Sequence, residues 1–255
     1  MLHNMSKLTQ RSCGLVRIIQ LNRGLARLAQ PSTKLGTNCQ PRMVHGSGRF
    51  FQPTRRLSSQ TVRFKKMPVD YPMVTGSEHW RRKIRTVFKG LDANSDGYVT
   101  KEDWMENGRR AAEYLNLNDE QTERLLNQRL DMWGLMSIDL KGNKTDKISE
   151  EEYIQKLLSV INEKSIREEG YKRFIAVDFN AMDVDGDGRV SKEEHASFFY
   201  SIHAPVEESK RVFEVMDADK DGFISFEEFA HGYNEFFLTE ETDNVYNAYH
   251  GPLVD

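Results

Sequence analysis

Asp217-Ala-Asp-Lys-Asp-Gly-Phe-Ile-Ser-Phe-Glu-Glu228 places carboxylates at its first, third, fifth and twelfth positions and a glycine at its sixth. Alternation of Asp217, Asp219 and Asp221 lets one tightly curled loop aim three oxygens at a common centre. Phe223, at position seven, contributes its backbone carbonyl, and Ser225, at nine, stands where a water is held. Glu228 is long enough to offer both oxygens from the start of the following helix, and Gly222 takes a turn that a Cβ would resist. So many carboxylates with no softer ligand suit a hard divalent cation, calcium first. An acidic surface turn is the competing reading of one such stretch. A second copy, Asp183-Val-Asp-Gly-Asp-Gly-Arg-Val-Ser-Lys-Glu-Glu194, argues against it, with Asp183, Asp185, Asp187, the Arg189 carbonyl and Glu194 as the corresponding ligands.

Both stretches match the EF-hand calcium loop, and apolar residues at helical spacing flank them: Ile175, Phe179 and Met182 before one, Val212, Phe213 and Met216 before the other. Upstream, Ile84, Val87, Phe88 and Leu91 lead into Asp92-Ala-Asn-Ser-Asp-Gly-Tyr-Val-Thr-Lys-Glu-Asp103. Here Asp92, Asn94, Asp96 and the Tyr98 carbonyl keep the ligand pattern, but Asp103 closes the loop. One methylene shorter than glutamate, Asp103 reaches a cation less readily with both oxygens, so weaker calcium selectivity and a better chance for magnesium are expected. A fourth stretch is degenerate. Counted back from Glu152, its first position is Lys141, its third Asn143, its fifth Thr145 and its sixth Asp146, which predicts an ion-free loop. Hands work in pairs, through a short antiparallel bridge between position-eight residues. Val99 is expected to pair with Ile148, and Val190 with Ile224. A lone hand would expose the apolar faces of both its helices, whereas a pair buries them.

The expected fold class is all-α: four EF-hands in two pairs, residues 76–163 and 166–238, forming one compact domain. A disordered basic extension, 1–67, precedes it, and a tail, 239–255, is too aromatic to be an ordinary disordered end. Leu126, Leu130 and Trp133, widened by Leu125, Met132 and Met136, read as a core stripe. Residues 164–173 read as a short polar connection between the pairs.

The 255-residue chain has a net charge of −3, but Met1 to Val69 holds thirteen Lys and Arg and no Asp or Glu, leaving −16 on the remainder. A basic head on an acidic body implies two segments with different jobs. The only cysteines, Cys13 and Cys39, lie in the head, so the body depends on no disulfide. Mean hydropathy of −0.66 and the lack of a long apolar run exclude a membrane-spanning helix. In the head, Leu21, Leu25 and Leu28 share one helical face and Arg23 and Arg27 another, as in a mitochondrial transit peptide. Arg55-Arg56-Leu57-Ser58-Ser59 resembles a matrix-processing site cut after Leu57. The mitochondrial matrix is therefore the expected location, and the cytoplasm if the head is no transit peptide. A disordered tail, an anionic-lipid or nucleic-acid patch and a gene-model artefact are the competing readings of the head.

Four hands with the second degenerate, Asp103 closing the first, and a tail ending Tyr249-His-Gly-Pro-Leu253 resemble the invertebrate sarcoplasmic calcium-binding proteins and calexcitins. The end Asn247 to Asp255 is also similar to that of the coelenterazine-binding, or luciferin-binding, proteins of cnidarians, in the superfamily of the calcium-regulated photoproteins. The resemblance covers about Thr75 to Asp255. It implies two EF-hand pairs closed face to face around an apolar interior. Photoproteins set His, Trp and Tyr side chains around a peroxidised luciferin, with one His in the helix after the fourth loop. Tyr233 stands there in this chain, His231 is off register, and Trp80, Trp104 and Trp133 all precede the third loop. These departures from the photoprotein pattern speak against the oxidative light reaction, whereas a luciferin carrier needs only an apolar cavity.

Three function classes follow. A calcium/magnesium buffer with three active loops leads, the third and fourth loops filling before the first because they bring more carboxylates. The alternative is a calcium-triggered carrier of a small apolar ligand such as coelenterazine. The third is a sensor that exposes a groove to a helical target, but Met132, Met136, Met182 and Met216 are too scattered to define one. No enzymatic activity is expected, because His195, His203, His231 and His250 show no pairing of a base with a nucleophile. A monomer without a nucleic-acid partner is expected.

Overall fold

The computed structural model describes residues 66–140 and 142–254. The expected transit segment up to residue 65, its processing site after Leu57, and Lys141 lie outside the described residues.

Each loop is bracketed by two helices whose apolar stripes face inward. The first hand comprises α1 (Glu78–Leu91), β1 (Tyr98–Thr100) and α2 (Lys101–Tyr114). The second comprises α3 (Asp119–Met136), β2 (Lys147–Ser149) and α4 (Glu150–Ile161). The third follows with α5 (Tyr171–Met182), β3 (Arg189–Val190) and α6 (Lys192–Ser201). The fourth consists of α7 (Val206–Met216), β4 (Ile224–Ser225) and α8 (Phe226–Leu238). Among the described residues these are the eight α-helices of an EF-hand fold.

In every hand the ninth loop residue starts the outgoing helix. Thr100, Ser149, Ser191 and Ser225 accept hydrogen bonds from the backbone N–H of Asp103, Glu152, Glu194 and Glu228, and those carboxylates accept from the capping residues in return. The reciprocal pair satisfies two otherwise free N–H groups and sets an anion at the positive end of the helix. The loops are joined at position eight. β1 pairs antiparallel with β2 through Val99 and Ile148, and β3 with β4 through Val190 and Ile224. All four side chains are buried.

The two pairs share one core. Trp80, Ile84 and Phe88 from the first half belong to the same buried cluster as Ile175, Phe199, Phe229 and Phe236 from the second. α2 packs on both α3 and α6. Gly90 of α1 lies against Ile202, and a Cβ there would approach the Ile202 Cβ to 3.1 Å. Two α1 side chains close the C-terminal end of α8: Trp80 Nε1 donates to the Phe237 carbonyl at 3.0 Å, and the buried Lys83 ammonium donates to the carbonyls of Phe236 and Thr239. A cation there also complements the negative end of the helix.

The packed body starts before residue 76, since Tyr71 and Val74 are buried. The segment expected to be a short polar connection is instead a π-helical turn, Ile166–Gly170, running into α5, with Ile166 and Arg167 buried. Arg167 donates to the carbonyls of Ile161, Pro68, Tyr71 and Pro72 and to Asn162 Oδ1. Asn162 in turn brackets Val74, accepting from its N–H at 2.9 Å and donating to its carbonyl at 2.7 Å. The connection thus clasps the arm that leads into α1.

The tail runs back over the core through a 3-10 turn, Val245–Ala248. Tyr249 is 3% exposed and packs on Phe229 and Phe236. His250 meets Phe198, Phe236 and Phe237. Gly232 of α8 lets the tail approach, because a Cβ there would come within 3.1 Å of the Tyr249 ring. The Val254 N–H donates to Thr86 Oγ1 and its carbonyl accepts from Arg82 Nε, which ties the chain end to α1.

Candidate functional site

The first, third and fourth loops are built on one hydrogen-bond scheme. The residue at position one holds the N–H at position six: Asp92 Oδ2 with Gly97, Asp183 Oδ2 with Gly188, and Asp217 Oδ2 with Gly222. These glycines have φ of +85°, +88° and +91°, the left-handed region where a Cβ is strained. The side chains at positions three and five each accept from the N–H two residues on. Asn94 takes Asp96 and Asp96 takes Tyr98; Asp185 takes Asp187 and Asp187 takes Arg189; Asp219 takes Asp221 and Asp221 takes Phe223. The ladder curls each loop, and Asp92 and Asp183 use both carboxylate oxygens on loop N–H groups.

The loops differ at position twelve. Glu228 Oε1 reaches across the loop to the N–H groups of Ala218 and Asp219 while Oε2 caps Ser225. Glu194 does the same with Val184, Asp185 and Ser191. Asp103 makes only the capping contacts, to Thr100. In the second loop Glu152 also caps only Ser149 and is exposed. There Asn143 is drawn to Asp139 by its N–H and its amide, the Asp139 N–H donates back to the Asn143 carbonyl, and Thr145 N–H donates to Ser137. The stretch that would be a cation loop is a small hairpin, with Asp146 exposed beyond it.

Charge and burial agree with cation binding at the third and fourth loops. Asp183, Asp185 and Asp187 bring a carboxylate oxygen each to within 4.8 Å of one another, as do Asp217, Asp219 and Asp221. Burial, with Glu194 and Asp185 nearby, pushes the Asp183 carboxyl up to about 6. Asp217 Oδ1 is buried and has no hydrogen-bond partner among the described residues, an arrangement that a cation would satisfy. Arg189 and Phe223, whose carbonyls complete the two sets, are placed by the β3–β4 pair and its edge.

Residues beside the ligands line an interior cavity of about 190 Å³. Leu91 precedes Asp92, Trp104 follows Asp103, Met182 precedes Asp183 and Phe229 follows Glu228, and all four side chains form its wall. The lining is mostly apolar, with a few polar groups set into it. Asn107 bridges the carbonyls of Gly90 and Leu91 through its Nδ2, while its Oδ1 has no partner. Trp104 Nε1, Arg129 Nε and the hydroxyls of Tyr171 and Tyr249 are likewise buried without partners among the described residues. Asp178 bonds the Tyr233 hydroxyl, and burial pushes its carboxyl up to about 6. His250 reaches the same cavity, whereas His231 meets Tyr246 edge to face outside it.

Reading the sequence missed Arg129, Asp178, Asn107 and Tyr171 as cavity residues. A signal existed for two of them. Arg129 falls on the stripe of Leu125, Met132 and Trp133, and Asp178 on that of Tyr171, Ile175 and Met182. A charge at a core position of an amphipathic helix is costly unless something answers it.

Residues 172–234 match the EF-hand domain pair family and residues 84–106 the EF hand family. A sarcoplasmic calcium-binding protein of Perinereis vancaurica tetradentata is 29% identical over 181 residues, spanning 70% of this chain and 100% of its own. A luciferin-binding protein of Renilla reniformis is 28% identical over 196 residues, 72% of this chain and 100% of its own. Among solved structures, the coelenterazine-binding protein of Renilla muelleri in its calcium-loaded apo form superposes with a TM-score of 0.60 at 26% identity, covering 69% of this chain and 99% of that one. Okadaic acid binding protein 2.1 gives 0.53 at 26%, covering 70% and 98%. The chain carries EF-hand domains and binds calcium through them.

Proposed function

We propose that this EF-hand protein is a calcium-controlled carrier of a small, largely apolar molecule, with cations held by the first, third and fourth loops. The observation that carries the reading is the interior cavity, whose apolar wall holds unpartnered polar atoms of Trp104, Asn107, Arg129, Tyr171 and Tyr249. Buried polar groups ordinarily have partners, and a cavity that leaves five without them is shaped for a guest that supplies them. Solved neighbours named for binding coelenterazine and okadaic acid support the same reading. Control by calcium is supported by the side chains that adjoin Asp92, Asp103, Asp183 and Glu228 and also line the cavity. In the first loop the short Asp103 favours magnesium as an alternative occupant. The activity proposed is binding rather than catalysis, in keeping with calcium-binding and coelenterazine-binding relatives. Delivery to the mitochondrial matrix is proposed from the acid-free head.

The second reading, a calcium buffer and nothing more, is favoured by the strongly acidic body and by the sarcoplasmic relatives. One experiment separates the two. Purified protein is incubated with coelenterazine in a chelator, freed of excess, scanned for absorbance and then titrated with calcium. A retained chromophore that calcium expels is expected. Uptake of calcium with no chromophore retained leaves the buffer alone.

A further inference from the structure

We propose that Arg129 and Asp178 together read a neutral ligand group in which a hydrogen-bond acceptor and a donor stand side by side, such as a carboxamide, a lactam or an amino-substituted heterocycle. The inference rests on the carrier reading and narrows its ligand.

The two residues come from helices that pack on each other, α3 and α5, and both line the cavity. Among the described residues, Arg129 is 7% exposed, its Nε has no partner, and its one hydrogen-bond contact is weak, from Nη1 to the Met132 sulfur at 3.8 Å. Asp178 lies close enough for the two charges to influence each other. Yet among the described residues no carboxylate oxygen is within the 4.0 Å of an ion pair to Arg129. Opposite charges that face one cavity without touching leave a gap between them. The fold keeps the arginine there on purpose of shape: its stem lies over Gly108 of α2, where a Cβ would come 3.1 Å from Arg129 Cγ.

Charge balance then selects the guest. Arg129 and Asp178 cancel, so the pair accepts a neutral group without burying a net charge. A carboxylate would meet Asp178, and an ammonium would meet Arg129. A group that accepts from Arg129 and donates to Asp178 answers both, and charge-assisted bonds of this kind are the strong ones in a dry site. The Tyr233 hydroxyl, bonded to Asp178, leaves that carboxylate further accepting capacity. The rival explanation is a bridging water, which would make the pair part of the fold alone.

Three naphthalenes of nearly one shape test this on the full chain by calorimetry: naphthalene-2-carboxamide, naphthalene-2-carboxylate and 2-methylnaphthalene. The carboxamide is expected to bind roughly ten- to a hundredfold tighter than 2-methylnaphthalene, the worth of one or two bonds to charged groups. The carboxylate should bind more weakly than the carboxamide. Arg129→Met should erase the advantage of the carboxamide while 2-methylnaphthalene binds as before. Asp178→Asn, nearly isosteric and so the safer variant for folding, should hand the preference to the carboxylate, because Arg129 is then unbalanced. Equal affinity for the carboxamide and 2-methylnaphthalene, or an unchanged preference in Asp178→Asn, overturns the pairing and leaves the carrier reading standing. If none of the three binds, this inference falls, and the carrier reading stands or falls on the retention of coelenterazine.

Discussion

At the scale of single residues, the first, third and fourth loops differ chiefly in how far the twelfth side chain reaches. Glu194 and Glu228 use one oxygen to cap their helix and the other to hold two N–H groups across the loop. Asp103 does the first task only. Restoring the missing methylene in Asp103→Glu should let the side chain do both and turn a tight six-coordinate site into a roomier one. Calcium affinity at the first loop is expected to rise about tenfold and its sensitivity to magnesium to fall. Calorimetry with and without magnesium reads both, and a variant whose calcium binding responds to magnesium no differently from the wild type's would contradict the argument. The geometry of these loops was legible because it is local. Twelve consecutive residues contain the spacing, the turn and the capping pair, so chemistry can be counted along the chain. The same count marked the second loop as degenerate, with Lys141 at its first position; it did not reveal that Asp139 and Asn143 fold that stretch into a hairpin of their own.

Elements were legible where an apolar stripe marks them and illegible where a polar residue does a buried job. The stripes before each loop located the helices, and position eight located the bridges between Val99 and Ile148 and between Val190 and Ile224. The connection between the pairs read as polar because Lys164, Arg167, Glu168 and Glu169 dominate it. What reverses its meaning is Arg167, whose partners Pro68, Tyr71 and Pro72 lie some way before α1, far off in sequence. Five donors in a planar fork suit several carbonyls at once, and lysine lacks that fork. Arg167→Met should therefore strand buried carbonyls and loosen the arm, costing roughly 3–5 kcal/mol in denaturant unfolding. Arg167→Lys should recover little of the loss. Limited proteolysis adds a local readout, with new cleavage expected near Thr75. Wild-type stability in either variant would mean that the clasp is incidental to the packing of Tyr71 and Val74.

For the molecule as a whole, the cavity emerged only when all four hands and the tail were in place. Its wall draws on α1 to α6, α8 and the tail, and no local window of sequence contains that combination. The tail is the last part to close it, and His250 makes that closure sensitive to acid. Burial among Phe198, Phe236, Phe237 and Tyr249, with His195 adding a smaller push, lowers the His250 imidazole to about 3. In an unfolded chain the same group titrates near 6.5. The folded state therefore refuses a proton that the unfolded state accepts, and its stability declines as pH falls below about 6.5, by up to about 1.4 kcal/mol per pH unit from this one group. Asp178 works in the opposite direction, since its raised pKa stabilises the fold as acid protonates it, so the total profile mixes the two. A comparison with His250→Phe isolates the histidine. Unfolding free energies at saturating calcium should show the variant gaining on the wild type by about 2 kcal/mol between pH 7.5 and pH 5. Profiles that stay parallel across that range would mean that the tail lifts away to let His250 protonate in water, and that the cavity opens without the rest of the fold giving way.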